Sequence, residues 1–170
     1  MVLSLRVATE QDYEPYCRLF NQVNDVHVGA YPDTFRHAEC PPRAFEDYQA
    51  LLADPLQRVL LAWVEGQLAG YVHSLLRERP PIPIMVPARF AVVDTLVVDE
   101  AFRRRGVGQA LMSAAEDWAR QNGAVNIELS VWVFNQPAVR LYEELGYEVI
   151  SQRMRKPITP TWPPPQAGEG

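Results

Sequence analysis

Cysteine is scarce in this chain: its 170 residues hold two, Cys17 and Cys40, alongside only three histidines. Neither cysteine falls in a CxxC spacing and no histidine pair stands at ligand distance from them, so no metal site can be written and none is expected. Without secretory features the two read as thiols packed inside the fold rather than as a disulfide. A basic excess is missing too, with 16 Lys and Arg against 21 Asp and Glu and a formal net charge of -5. A nucleic-acid backbone is held by a basic face that releases counterions, so nucleic acid is excluded as the main partner. Apolar runs of membrane-spanning length are absent, which excludes a membrane partner of the spanning kind. The start MVLSLRVATEQD has neither a long apolar core nor a small-residue cleavage site, and a cytoplasmic protein is expected.

What is present suffices for one domain with a real core, expected over residues 1–156, since 48% of the chain is hydrophobic. The remainder, 157–170, carries the proline- and glycine-rich run TPTWPPPQAGEG, which has no packing face and is expected to be disordered.

Along the chain, Val2 to Val7 reads as a strand, and Thr9 with Asp12 forms a helix-opening box before a helix burying Tyr13, Tyr16, Cys17 and Phe20. From Val23 to Pro42 periodicity is lost among His27, Tyr31, Phe35 and His37, a candidate binding loop; FEDYQALLAD then restores a helix. RVLLAWVEGQLAGYVHSLL is two β-rich runs turned at Glu65-Gly66, a hairpin signal. RERPPIPIMVP must be a loop. Phe90 to Val98, nearly all apolar around Asp94, reads as a central strand buried on both faces. A helix from Val107 stops at Gly123, and a strand is expected over Asn126 to Phe134. Asn135 opens a last helix ending at Gly146, and a final strand is expected from Tyr147 to Arg153. The order makes an α+β fold: a mixed, mostly antiparallel central sheet flanked by helices.

RRRGVGQAL, Arg103 to Leu111, puts three arginines before two glycines at the head of a helix. Helix-start N–H groups lack intrahelical partners and attract anions, glycine lets the backbone approach a phosphate, and arginine adds charge-assisted contacts. The stretch lacks the Gly-Lys-Ser/Thr ending of a P-loop and the third glycine of the dinucleotide fingerprint.

With its preceding strand, VVDTLVVDEAFRRRGVGQALM resembles the acetyl-CoA-binding motif of the GNAT superfamily of N-acetyltransferases, Arg103, Gly106 and Gly108 filling its named positions. A second block, NQPAVRLYEELGY, is similar to that family's later signature through Asn135, Ala138, Leu141, Tyr142, Gly146 and Tyr147. The resemblance implies the GNAT fold, acetyl-CoA as co-substrate, and acetyl transfer to a primary amine of a small molecule or peptide by direct attack in a ternary complex. It implies main-chain contacts from Leu96, Val97 and Val98 to the pantetheine arm. Arg103, Arg104, Arg105, Gly106, Val107, Gly108 and Gln109 would surround the diphosphate, and Asn135, Ala138 and Tyr142 would border the cofactor. Tyr142 is the implied general acid, and a homodimer is a further implication.

An alkyl amine, with pKa near ~10, must lose a proton before it attacks. Asp94 is the candidate base: it is the charge inside an apolar strand, it shares parity with Leu96 and Val98, and burial would raise its pKa. A structural or ammonium-binding role for Asp94, with a water wire as base, stays open. His27, Tyr31 and Phe35 are the substrate-binding candidates, while His37 and His73 read as ordinary polar packing residues. Two other readings remain: a catalytically silent CoA-binding sensor or partner module, and an adaptor presenting the proline tail as an extended ligand.

Overall fold

The sheet grows outward from the Glu65-Gly66 turn. Both residues take positive φ, 50° and 79°, which matches the right-handed twist of a tight hairpin, and they join β2 (Gln57–Val64) to β3 (Gln67–Glu78). In this computed structural model, which describes residues 2–37, 43–156 and 158, β1 (Leu3–Val7) and β4 (Arg89–Val98) flank that hairpin antiparallel. β5 (Ile127–Leu129) adds parallel to β4, giving the strand order β1-β2-β3-β4-β5. Helices α1 (Tyr13–Ala30) and α2 (Phe45–Ala53) cover one face. On the other lies α3 (Val107–Gln121), with Tyr142 of α4 (Gln136–Glu144) packed against the same cluster.

Each face has its own core. Under α1 and α2, Tyr16, Leu19 and Tyr48 meet Val59, Leu61, Tyr71 and Val97; under α3, Leu111, Met112 and Ala115 meet Ala62, Val72 and Val93. Each fully buried apolar side chain of this size contributes about 2 kcal/mol. At the entry to α1, the Asp12 carboxylate accepts from the Thr9 N–H at 2.8 Å and the Thr9 hydroxyl at 2.9 Å, and Arg6 clasps it at 2.6 and 2.7 Å. The arginine, first of all, holds Asp12 below the ordinary carboxyl pKa.

Three expected elements differ. Val23 to Ala30 is helical rather than irregular: Val23 packs on the core and the Gln22 side chain reaches Asp99 at 3.4 Å, so tertiary contacts override the weak helix propensity of a stretch rich in Val, Asn and Asp. The strand expected over Asn126 to Phe134 shrinks to Ile127–Leu129. No strand forms from Tyr147 to Arg153, where Val149 and Ile150 are each 77% exposed; apolar residues without a ladder partner do not make a strand. β4 is accordingly half-buried along much of its length, because β5 covers only Ala91 to Val93. Cys40 and, Ile158 apart, the proline-rich tail lie outside the described residues.

Candidate active site

Beyond Val93 the edge of β4 stands open. Its ladder with β5 ends at Val93 opposite Leu129, and among the described residues no strand pairs with Asp94 to Val98 on that side. The cause lies in β4 itself: His73 faces Thr95 and Ser74 faces Val93, so Asp94 is an extra residue in a β-bulge. A bulge bends its strand and disrupts the ladder locally. Leu96, Val97 and Val98 therefore present main-chain groups along an unpaired edge, while Val97 faces the α1 core and Leu96 and Val98 pack toward α3.

That edge runs into the arginine turn. Asp99 accepts from the Ala101 N–H at 3.0 Å and from Arg18 of α1 at 2.6 Å, fixing the strand's exit. Arg104 and Gly106 take left-handed backbone, φ 64° and 79°, before α3 begins at Val107. Left-handed residues alternating with right-handed ones curl main-chain N–H groups into an anion-binding concavity. No acidic residue occupies the first turn of α3, and space beside the Gly106 backbone is open. Gly108 has a different reason: a Cβ there would stand 3.2 Å from Leu141 Cδ2 and 3.6 Å from Val98 Cγ2, so its absence lets α3 lie close against α4 and β4. Arg103 folds back to donate to the Val98 carbonyl at 3.3 Å, and Arg105 lies over the Phe102 ring at 5.7 Å; Arg104 and Gln109 are exposed.

Asp94 differs from expectation in two respects. The bulge breaks its parity with Leu96 and Val98: its carboxylate turns to the α1 side, where Oδ2 stands 3.3 Å from His73 Nδ1 and accepts from the Thr95 hydroxyl at 3.1 Å. Its pKa is lowered, not raised. The neighbouring His73 outweighs the opposing effect of burial, and half of the side chain is exposed.

Asn135 caps α4, its side-chain oxygen accepting from the Ala138 N–H at 3.3 Å. Tyr142 lies two turns along from that cap, against the Tyr147 ring at 5.8 Å. Burial pushes its hydroxyl up to about 12, so it holds its proton at neutral pH, and that hydroxyl makes no hydrogen bond among the described residues.

The three acceptor candidates do come together. His27 meets Phe35 with ring centroids 4.9 Å apart, and His27 and Tyr31 share neighbours in the β5–α4 connection: Trp132, 6.3 and 5.1 Å away, and Phe134, 5.6 and 5.5 Å away. Arg155 lies over the Tyr31 ring at 5.6 Å. Sequence reasoning missed Trp132 and Phe134 because it assigned them to a strand; two aromatics immediately before a helix-capping asparagine were the available signal.

An open strand edge, a bulge carrying a carboxylate, and a glycine turn opening a helix stand in one continuous path. Residues 20–147 match the acetyltransferase (GNAT) family. The chain belongs to the GNAT acetyltransferase family. Among its relatives, the L-amino acid N-acetyltransferase AaaT of Escherichia coli is 29% identical over 152 residues, 85% of this chain and 82% of that protein. The uncharacterized N-acetyltransferase YhfO of Bacillus subtilis is 30% identical over 146 residues, covering 86% and 90% respectively. Among solved structures, a mutant of the BH1408 protein from Bacillus halodurans superimposes with a TM-score of 0.87 at 31% identity, over 94% of this chain and all of that one. Acetyl transfer to an amine is the activity this GNAT membership carries. Among the described residues, no cluster of three or more His, Cys, Asp or Glu could hold a metal ion, and no helix is long and apolar enough to cross a membrane.

Proposed function

We propose that the chain is an acetyl-CoA-dependent N-acetyltransferase in which a primary amine attacks the bound thioester directly, within a ternary complex. One observation carries this reading: the unpaired edge of β4 from Asp94 to Val98 leads straight to the open start of α3. Backbone groups of Leu96, Val97 and Val98 suit the amides of a pantetheine arm, in the manner of strand addition. Main-chain N–H groups from Arg104 to Gly108 suit a diphosphate, with the Arg103, Arg105 and Gln109 side chains about it.

Acetyl-CoA, once bound, supplies an acetyl thioester whose carbonyl carbon is the site of attack. The chain's own residues handle the protons and the acceptor. Asp94, ionised at neutral pH, receives the ammonium; Tyr142, which keeps its proton, delivers it to the departing sulfur. Asn135 and Ala138 border the cofactor from the start of α4. His27, Tyr31 and Phe35, joined by Trp132 and Phe134, receive the acceptor's side chain. Direct attack is favoured over an acyl-enzyme because Cys17 is buried in the core of α1 and both cysteines lie far upstream of the two cofactor motifs in the sequence.

The relationship to AaaT makes L-amino acids the first acceptors to try. The test is colorimetric detection of released thiol with acetyl-CoA and a panel of L-amino acids, short peptides, polyamines and aminoglycosides, each hit checked by product mass. Thiol release matched by an acetylated amine is the expected result. Acetyl-CoA binding without thiol release across the panel would leave a CoA-binding module instead.

A further inference from the structure

His73 is buried, with 4% of its surface exposed, and both ring nitrogens face polar side chains of neighbouring strands. Nε2 stands 2.8 Å from Gln57 Oε1, and Gln57 in turn donates through Nε2 to Asp54 Oδ2 at 2.7 Å. That carboxylate can only accept, and the Gln57 and Leu56 donors hold its pKa low. The Gln57 amide is therefore oriented with its NH2 toward Asp54 and its carbonyl oxygen toward His73. An oxygen acceptor facing Nε2 places a proton there.

The other nitrogen is then a lone pair in the neutral ring. Nδ1 is buried without a hydrogen bond, 3.3 Å from Asp94 Oδ2 and off the line of one. Two acceptors face each other in that neutral form, and a proton taken up on Nδ1 supplies the donor through which His73 holds the Asp94 carboxyl low. Its surroundings favour this use. Tyr71 on the same strand and Tyr16 from α1 stay neutral because burial raises both hydroxyls, and Thr95 donates to the carboxylate. Arg43, preceding α2, favours the ionised form of Asp94.

We propose that His73 and Asp94 form a composite base, in which Asp94 meets the incoming ammonium and the proton it removes is held on His73 Nδ1. This rests on the acetyltransferase reading above. An N–H bond of the ammonium breaks, an Nδ1–H bond forms, and the amine keeps the electron pair with which it attacks. The carboxylate ends as it began, and the pair passes from one negative charge to none. The proton returns to water through the exposed half of Asp94. A carboxylate held below its ordinary pKa is a weak base alone, and an imidazole is better matched to proton transfer near neutrality. His73 thus acts through Asp94 rather than on the amine.

His73→Asn keeps a polar side chain beside Asp94 but cannot take up a proton. With the L-amino acid of the panel that releases thiol fastest, this variant is expected to lose about 100-fold in kcat/KM at pH 7.5. Its activity should be nearly flat with pH where the wild type declines on acidification. Acetyl-CoA affinity and the melting temperature should stay close to wild type. A uniform loss that preserves the wild-type acid limb would overturn the proposal. A second measurement needs no variant of His73: long-range proton–nitrogen spectra of ring-labelled wild-type protein, assigned through His27→Gln and His37→Gln. A resting ring that carries its proton on Nε2 and none on Nδ1, and that takes up its second proton at Nδ1, is expected. An Nδ1–H ring above neutrality, or a ring that never titrates, overturns the composite base. If no amine is acetylated at all, the transfer reading fails and the base role goes with it; turnover with a normal acid limb in His73→Asn removes this proposal alone.

Discussion

Tyr142 and Gly70 let the proposed chemistry and the fold be probed separately, each at a single residue. Tyr142 keeps its proton at neutral pH, so removing only its oxygen tests the proposed acid step. Tyr142→Phe is expected to lower kcat about 100-fold while the KM for acetyl-CoA moves less than about twofold, read from steady-state kinetics. Gly70 sits where β3 crosses the end of β4, and a Cβ there would lie 2.6 Å from the Val97 carbonyl oxygen. Backbone cannot move aside as a flexible side chain can. Gly70→Ala is expected to destabilise the fold by about 2–3 kcal/mol, measured by urea unfolding. Nothing in the apolar alternation of that strand distinguishes this glycine from a weak spot; the constraint comes from a neighbouring strand.

At the scale of elements, α3 and its turn carry the most specific forecast. Gly106 has open space around it but a φ of 79°, so a side chain there meets strain rather than a clash. Gly106→Val is expected to cost about 1–2 kcal/mol of stability, leave the fold in place, and weaken acetyl-CoA binding about tenfold by calorimetry. Gly108→Val acts differently. Its added carbon presses on Leu141, so it should separate α3 from α4 and lower the melting temperature along with the affinity. Here the motif was fully legible in the sequence, yet the two glycines proved to serve different physical ends. The far half of α1 was not legible, because its helical state depends on Val23 packing on the core and Gln22 reaching Asp99.

For the molecule as a whole, carboxylates tie separate elements together. Asp12 joins β1 to the start of α1 through Arg6, and Asp99 joins the end of β4 to α1 through Arg18. For Asp12 the arginine hydrogen bond dominates; for Asp99 burial opposes the charge, but Arg18 and the Ala101 N–H outweigh it. Both carboxyls, like Asp94, are thus held below their ordinary value of 3.8. A depressed folded-state pKa contributes stability that is present above the unfolded value and lost as pH falls through the folded one. The melting temperature should therefore be nearly level from pH 5 to pH 8 (about the usual stable range) and fall steeply below about pH 4. Asp12→Asn should melt lower at neutral pH and lose less on acidification, checked by thermal scans across that range.

The sequence alone determined what depends on neighbours along the chain: the Glu65-Gly66 hairpin, the Thr9–Asp12 box, the Asn135 cap, and the glycine turn that opens α3. These follow from backbone torsions and side chains reaching a few residues, which any sequence states openly. Tertiary structure decided what depends on partners far away. It placed the bulge at Asp94 against β3, turned that carboxylate toward His73, ended β5 at Leu129, and gathered Trp132 and Phe134 onto α1. The physical reason is that a strand's ladder and a side chain's facing direction are set by the strand beside it, and a bulge of one residue reverses which face each following side chain takes.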